Sequence, residues 1–191
     1  MSTLRLKFEF LSPWLMGSGF GEGAHLDAVP VKSPNGLPYI PGKSVKGLLR
    51  EAVQLAEELG RVPEETTLRL FGSRDKNLSR YETSEGSLRF SSAVLEPGME
   101  TWAGANRQAV PQLFIALAAT RIDTNGLAHD KTLRKIEAAL PVSLTAELAG
   151  PSDDTSWQDH LRLALPLLRQ AGSHRHRGLG RVSVHIEEVR S

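Results

Sequence analysis

The chain has 191 residues, 40% of them hydrophobic, a formal net charge of +1 and no cysteine. That length can bury a full core as one domain, the lack of cysteine excludes disulfides and thiolate metal sites and fits a reducing cytoplasmic setting, and no apolar run approaches membrane-spanning length. The small net charge averages basic stretches against acidic ones such as Glu57-Glu58, Glu64-Glu65 and Asp153-Asp154, so the distribution of charge matters more than its sum.

Leu4, Leu6, Phe8 and Phe10 alternate with Arg5, Lys7 and Glu9, which predicts a first strand with one buried face. It starts without a charged-then-apolar leader, so neither export nor membrane insertion is expected. Gly17 to Asp27 forms a glycine-rich loop, and Val29 to Val31 a short extended return before the Pro34-Asn35-Gly36 turn. The spacing Gly17, Gly19, Gly23 is no dinucleotide fingerprint, because the helix arrives only after Ser44. Pro38 and Pro41 hold Leu37 and Ile40 extended, Gly42 permits close backbone approach, and Ser44 is placed to cap a helix. In that helix Val45, Leu48, Leu49, Ala52, Val53, Ala56 and Leu59 recur on one face.

Further on, Thr66 to Arg80 holds a short apolar step, Leu68 to Gly72, and then a polar linker; Ser87 to Ala93 alternates Leu88 and Phe90 as a strand. Gly98 to Ala109 reads as loop, Gln112 to Ile122 as a strand or buried helix, and Asp123-Thr124-Asn125-Gly126 as a turn, together a hairpin-like excursion. Leu127 to Ala138 leads into a strand alternating Leu140, Val142, Leu144, Ala146 and Leu148. A second helix is predicted over Trp157 to Ala171, with Leu161, Ala164, Leu165, Leu168 and Ala171 inward and Pro166 forcing a kink or a late start. Arg181 to Val189 is the last strand. This order predicts an α+β fold, a ferredoxin-like or RNA-recognition-motif-like antiparallel sheet with two helices. Residues 1–191 form a single domain, with an inserted excursion over about 98–140.

Two stretches carry the chemistry. Lys43, Lys46 and Arg50 crowd the start of the first helix, where the macrodipole favours acids, which makes them either a solvated face or the binding site of an anion. The stretch from Gly172 to Arg181 alternates His174, Arg175, His176 and Arg177 with Gly178 and Gly180, and no acid lies between Arg169 and Val184. Glycines admit a ligand's backbone and arginines offer forked donors, so phosphate binding is favoured over a solvated loop, and over metal binding by His174 and His176. Trp14, Phe20 and Trp102 are either core residues or platforms for bases.

The segment Pro38 to Arg50 resembles the PxIPGSSLKGxLR pattern of the RAMP superfamily, found in backbone subunits of type III CRISPR effector complexes. Gly178-Leu179-Gly180-Arg181-Val182 resembles that family's C-terminal glycine-rich loop. Leu70-Phe71-Gly72 followed by the strand from Gly86 to Ala93 is similar to it as well. The resemblance implies a subunit that binds guide RNA, pairs it with complementary target RNA and assembles with other effector subunits, copies of itself among them. It implies RNA contacts from Gly42, Lys43, Ser44, Lys46, Arg50, His174, Arg175, His176, Arg177, Gly178, Gly180 and Arg181. The excursion with Arg121-Ile122-Asp123 resembles the family's thumb, laid against nucleic acid. Asp27 stands where the family has an aspartate acting in metal-dependent cleavage of target RNA, with Mg2+ or Mn2+ as cofactor; Val29 before Pro30 departs from the family spacing by one residue. Two alternatives stay open: a non-catalytic RNA-binding scaffold or end subunit, and a metal-independent endoribonuclease processing CRISPR repeats, with His25 and Lys43 as acid-base groups.

Overall fold

The first strand, β1 (Ser2–Phe10), buries Leu4, Leu6, Phe8 and Phe10 on one side, as its alternation requires. The computed structural model describes residues 1–19, 21, 26–73, 83–128 and 132–187. Phe20, His25, the linker after Ser73 and the end of the last predicted strand lie outside the described residues. β1 pairs antiparallel with β5 (Ser143–Gly150) on one edge and β6 (Val182–Glu187) on the other, while β2 (Arg89–Phe90) extends the sheet beyond β5. The resulting order β2-β5-β1-β6, with α1 (Gly42–Glu58) and α4 (Ser156–Ala164) packed on the buried side chains, is the ferredoxin-like arrangement. Among the described residues no helix is long and apolar enough to cross a membrane.

Residues 98–140, expected as a hairpin-like excursion, contain an antiparallel hairpin of β3 (Phe114–Ala119) and β4 (Arg134–Ala139), preceded by a helix, α3 (Met99–Ala105). The stretch read as loop from Gly98 to Ala109 is therefore helical over Met99–Ala105; Gly98, at φ 94°, breaks the chain just before the helix starts. Within Gln112 to Ile122 the strand is β3, preceded by a 3-10 turn that ends at Leu113. Leu68 to Gly72, read as an apolar step, belongs to α2 (Thr66–Phe71).

Helix α1 begins at Gly42 and not after Ser44, and Ser44 lies inside its first turn without capping it. The Gly42 N–H donates instead to Ser92 Oγ at 3.1 Å, a cap supplied from fifty positions away. Val45, Leu49, Ala52, Val53 and Ala56 form the buried face, whereas Leu59, expected inward, caps the C-terminus and is 56% exposed. The second predicted helix stops at Ala164, because Pro166 has no N–H to continue the ladder, and Leu165–Leu167 tightens into a 3-10 turn. Leu161, Ala164, Leu165, Leu168 and Ala171 are all buried nonetheless. Trp14 is a core residue and no base platform: it is fully buried, stacks on Phe10 with ring centres 4.2 Å apart, and donates from its indole N–H to Leu140 O.

Glu57 ties α1 to α2. Its carboxylate accepts the backbone N–H groups of Glu65 (2.7 Å) and Thr67 (2.9 Å), satisfying donors at the start of α2 where Glu65 adopts the left-handed φ of 63°. Burial pushes the Glu57 carboxyl up, but hydrogen bonds from Thr67 and from the Glu65 backbone more than offset this and hold its pKa below the ordinary value. A lowered folded pKa stabilises the fold above the unfolded carboxylate pKa and loses that stabilisation as pH falls through the folded value. Glu57→Gln is expected to lower unfolding stability by about 1–2 kcal/mol at neutral pH, with the gap to the parent closing below about pH 4. Urea denaturation at several pH values measures this, and a gap that is constant with pH would contradict the assignment.

Candidate nucleic-acid interface

With one face of α1 committed to the core, the residues between the apolar positions point outward. Lys43 is exposed, and Ser44, Lys46 and Arg50 are partly so. Gly42 serves packing: a Cβ there would lie 2.9 Å from Phe90 O, so the glycine lets the helix start press against β2. The turn at Pro41 sets where the cations stand.

The basic stretch near the C-terminus is a loop laced by its backbone to the segment that follows β1. Ser173 N–H donates to Leu15 O and Gly180 N–H to Pro13 O, both at 2.8 Å. Arg181 N–H donates to Ser12 Oγ at 3.0 Å, and Ala171 N–H to Gly180 O at 2.8 Å closes the loop at its base. Within it His174 takes the left-handed φ of 58° and leads into a 3-10 turn, Arg175–Arg177. His176, Arg177, Gly178 and Arg181 are exposed, while His174 and Arg175 are half-buried.

These two elements meet. Lys43, Ser44, Lys46, Arg50 and Arg175 line one open concavity, and Arg175, His176 and Arg181 line a second beside it. Arg177 and Gly178 line neither of them. Arg175 is not the isolated cation that its acid-free stretch of sequence implies: its Nη1 lies 3.2 Å from Glu51 Oε2, on the outer side of α1. Among the described residues Lys43, Lys46, Arg177 and Arg181 make no ion pair. Lys43, Lys46 and Arg181, none of them ion-paired, stand around hollows whose one lining acid is Glu51, and such an excess of cations favours a polyanion.

Asp27 stands apart from this surface, against the hairpin. Its N–H donates to Lys135 O, and its Oδ2 accepts Lys135 N–H, each at 2.7 Å. Glu137 N–H donates to Ala28 O at 3.0 Å, so the outer edge of β4 continues as a short parallel pairing with this loop. Lys32 bridges the base of the hairpin, 2.5 Å from Glu137 Oε2 and 4.3 Å above the centre of the Phe114 ring. The Asp27 carboxylate is exposed, and no three His, Cys, Asp or Glu side chains gather around a common point among the described residues. Asp27 is thus a single exposed carboxylate, a hard oxygen donor of the kind that divalent cations take, with no such cluster around it among the described residues.

Sequence reading misses Glu51 and Ser92. Only a tertiary partner gives either a role, and no local signal marks them.

The model of the RAMP superfamily matches residues 7–183. A chain in the cryo-EM structure of the Type III-B Cmr-beta bound to cognate target RNA superposes with a TM-score of 0.74 at 12% identity, covering 97% of both chains. A chain of Type III-B Cmr-beta in the apo state does so with a TM-score of 0.72, again at 12% identity and 97% coverage of both. No curated protein matches the sequence.

The two family glycines of the loop have different duties. A Cβ on Gly180, at φ 71°, would lie 2.0 Å from Ala171 O, whereas one on Gly178, at φ 85°, meets nothing within 4 Å. Gly180→Ala is expected to cost at least about 3 kcal/mol of stability, and Gly178→Ala only about 1 kcal/mol from its left-handed backbone. Thermal and urea unfolding of the two variants measure this, and equal losses would contradict the geometry.

Proposed function

This chain belongs to the RAMP superfamily, and from that membership we propose that it is a subunit of a type III CRISPR effector complex, gripping guide RNA by its backbone and supporting cleavage of the paired target RNA. The observation that carries the proposal is the meeting of the α1 cations with the glycine-loop arginines on one concave surface. The likeness in fold to chains of Type III-B Cmr-beta, one of them bound to cognate target RNA, supports the same reading.

Each group has a task in this reading. Lys43 and Lys46 attract phosphates as point charges, while Arg175, Arg177 and Arg181 bring planar forked donors that fit phosphate oxygens. Gly42, Ser44, Gly178 and Gly180 set the backbone that carries these cations, and His174 and His176 border them. Arg50 extends the cationic stripe along α1. Binding of this type holds RNA of any sequence and leaves sequence reading to base pairing. Other effector subunits, or copies of this chain, complete the path of the guide.

Asp27 is the group proposed to support cleavage. Its carboxylate would hold a Mg2+ or Mn2+ ion, which when bound would supply charge stabilisation and activation of an attacking oxygen. The chain's own part is to hold one carboxylate still, and the two hydrogen bonds to Lys135 do this. A second reading, a non-cleaving subunit of the same complex, is favoured by the same contact, because an aspartate that accepts a backbone N–H has a structural duty that needs no metal. The metal-independent repeat nuclease has one described candidate, Lys43, which lies among the other cations of the helix start.

The first test replaces Lys43, Lys46, Arg175, Arg177 and Arg181 by alanine together. RNA affinity should fall for every sequence, and the slope of log affinity against log salt should flatten by roughly 0.7 for each phosphate that the variant no longer neutralises. Fluorescence anisotropy across a salt series measures it, and an unchanged affinity in the folded variant would overturn the RNA surface.

Asp27→Asn separates enzyme from scaffold. The amide oxygen still accepts Lys135 N–H, so fold and guide binding should survive while the charge is removed. In the reconstituted complex with magnesium, single-turnover cleavage of labelled target should slow at least ~100-fold, a loss of roughly 3 kcal/mol of transition-state stabilisation, with target binding unchanged. Full-rate cleavage by the variant moves the chemistry elsewhere, and a parent complex that never cleaves makes the chain a scaffold.

A further inference from the structure

Two open hollows, each of about 630 Å3, lie side by side on the cationic surface, and Arg175 and Glu51 line both. Their ion pair therefore forms the ridge between the hollow of Lys43, Lys46 and Arg50 and the hollow of His176 and Arg181. The two residues are 124 positions apart, and the pair ties the glycine loop to the middle of α1. Glu51 is the one acid among the residues that line the two hollows, where every other charged residue is a cation, and its side chain is 62% exposed.

The geometry of the pair is that of a contact made to be exchanged. Both carboxylate oxygens accept from the same nitrogen, Arg175 Nη1, at 3.2 and 3.3 Å. Charge-assisted N–H···O bonds run nearer about 2.7–2.9 Å, and a guanidinium binds a carboxylate or phosphate best through two nitrogens at once. An exposed pair of this kind contributes little to stability. A phosphate in either hollow can take the forked geometry that Glu51 does not.

We infer that Glu51 is a built-in stand-in for phosphate: it occupies Arg175 when the surface is empty, and a phosphate of the RNA backbone must displace it to cross from one hollow to the other. This inference rests on the RNA-binding reading of the surface. Glu51 orients the arginine across the ridge, and it sets a threshold that a lone small anion meets poorly and a chain of phosphates, anchored on both sides, meets easily.

The test is a double-mutant cycle on binding of labelled single-stranded RNA, read by anisotropy at fixed salt, with the parent, Glu51→Gln, Arg175→Ala and the double variant. Glutamine is a good helix former at an exposed helical position, so the fold is kept. If Glu51 competes for Arg175, Glu51→Gln tightens binding about three- to tenfold in the parent, and changes it less than about twofold once Arg175 is alanine. Glu58→Gln, which removes an acid from the same helix, leaves affinity within about twofold of the parent. Weaker or unchanged binding by Glu51→Gln overturns the inference. So does a gain that persists without Arg175 or is matched by Glu58→Gln, because the acid then acts through the general field. A parent that binds no RNA removes the reading of the surface itself, and the inference with it.

Discussion

The structure depends on the seam where the chain's far end is laced to the residues after β1. Gly180 sits at φ 71° with its α-carbon turned so closely onto Ala171 O that no side chain fits, and this lets Gly180 N–H reach Pro13 O while Gly180 O receives Ala171 N–H. Because β1 is central and β6 pairs antiparallel with it, the loop ahead of β6 must close beside the end of β1. Helix α1 is fixed on the same sheet by Val45, Leu49, Ala52 and Val53, so its outward stripe faces that loop. Backbone hydrogen bonds and apolar burial thus bring the cations together against their mutual repulsion.

The two faces of the sheet divide the charge. The face under the helices is apolar, and the other carries Arg5, Lys7 and Glu9, with Arg5 paired to Glu147 and Lys7 to Glu9 at 3.0 Å. The Glu9 side chain, by hydrogen bond and charge, raises the Lys7 pKa, and Lys7 lowers that of Glu9. Sheets that read single-stranded RNA display aromatic rings on their open face. Here Phe8 and Phe10 point the other way, into the core, and the open face is neutralised by its own pairs. The uncompensated cations lie off the sheet, at its loop and helix rim.

Periodicity makes the sheet and both large helices legible, because burial on one face imposes a repeat of two or of about 3.6 on the residues themselves. The order of elements carries the ferredoxin-like topology from there. What stays hidden has tertiary causes. Local sequence places the start of α1 late because its first N–H is satisfied by Ser92, and no capping residue is needed nearby. Helix α2 escapes notice because its first turn depends on Glu57, far from any local cap. Arg175 reads as one of several equivalent cations, since an acid-free run of sequence says nothing about Glu51 on another element. The glycines read as openings for a ligand, yet Gly42 and Gly180 are filled by the protein's own backbone, and of the three only Gly178 faces open space.

The hairpin and Asp27 form one mechanical unit, whichever task the carboxylate performs. Lys135 directs its N–H and C=O to Asp27 and Glu137 its N–H to Ala28, so the outer edge of β4 is occupied by this loop while its inner edge pairs with β3. At the other end of β4, Ala139 exchanges N–H and C=O with Trp14, which is locked against Phe10 in the core. The path from core to carboxylate therefore runs through Trp14, the length of β4 and then Lys135, with Lys32 bracing it at Glu137 and Phe114.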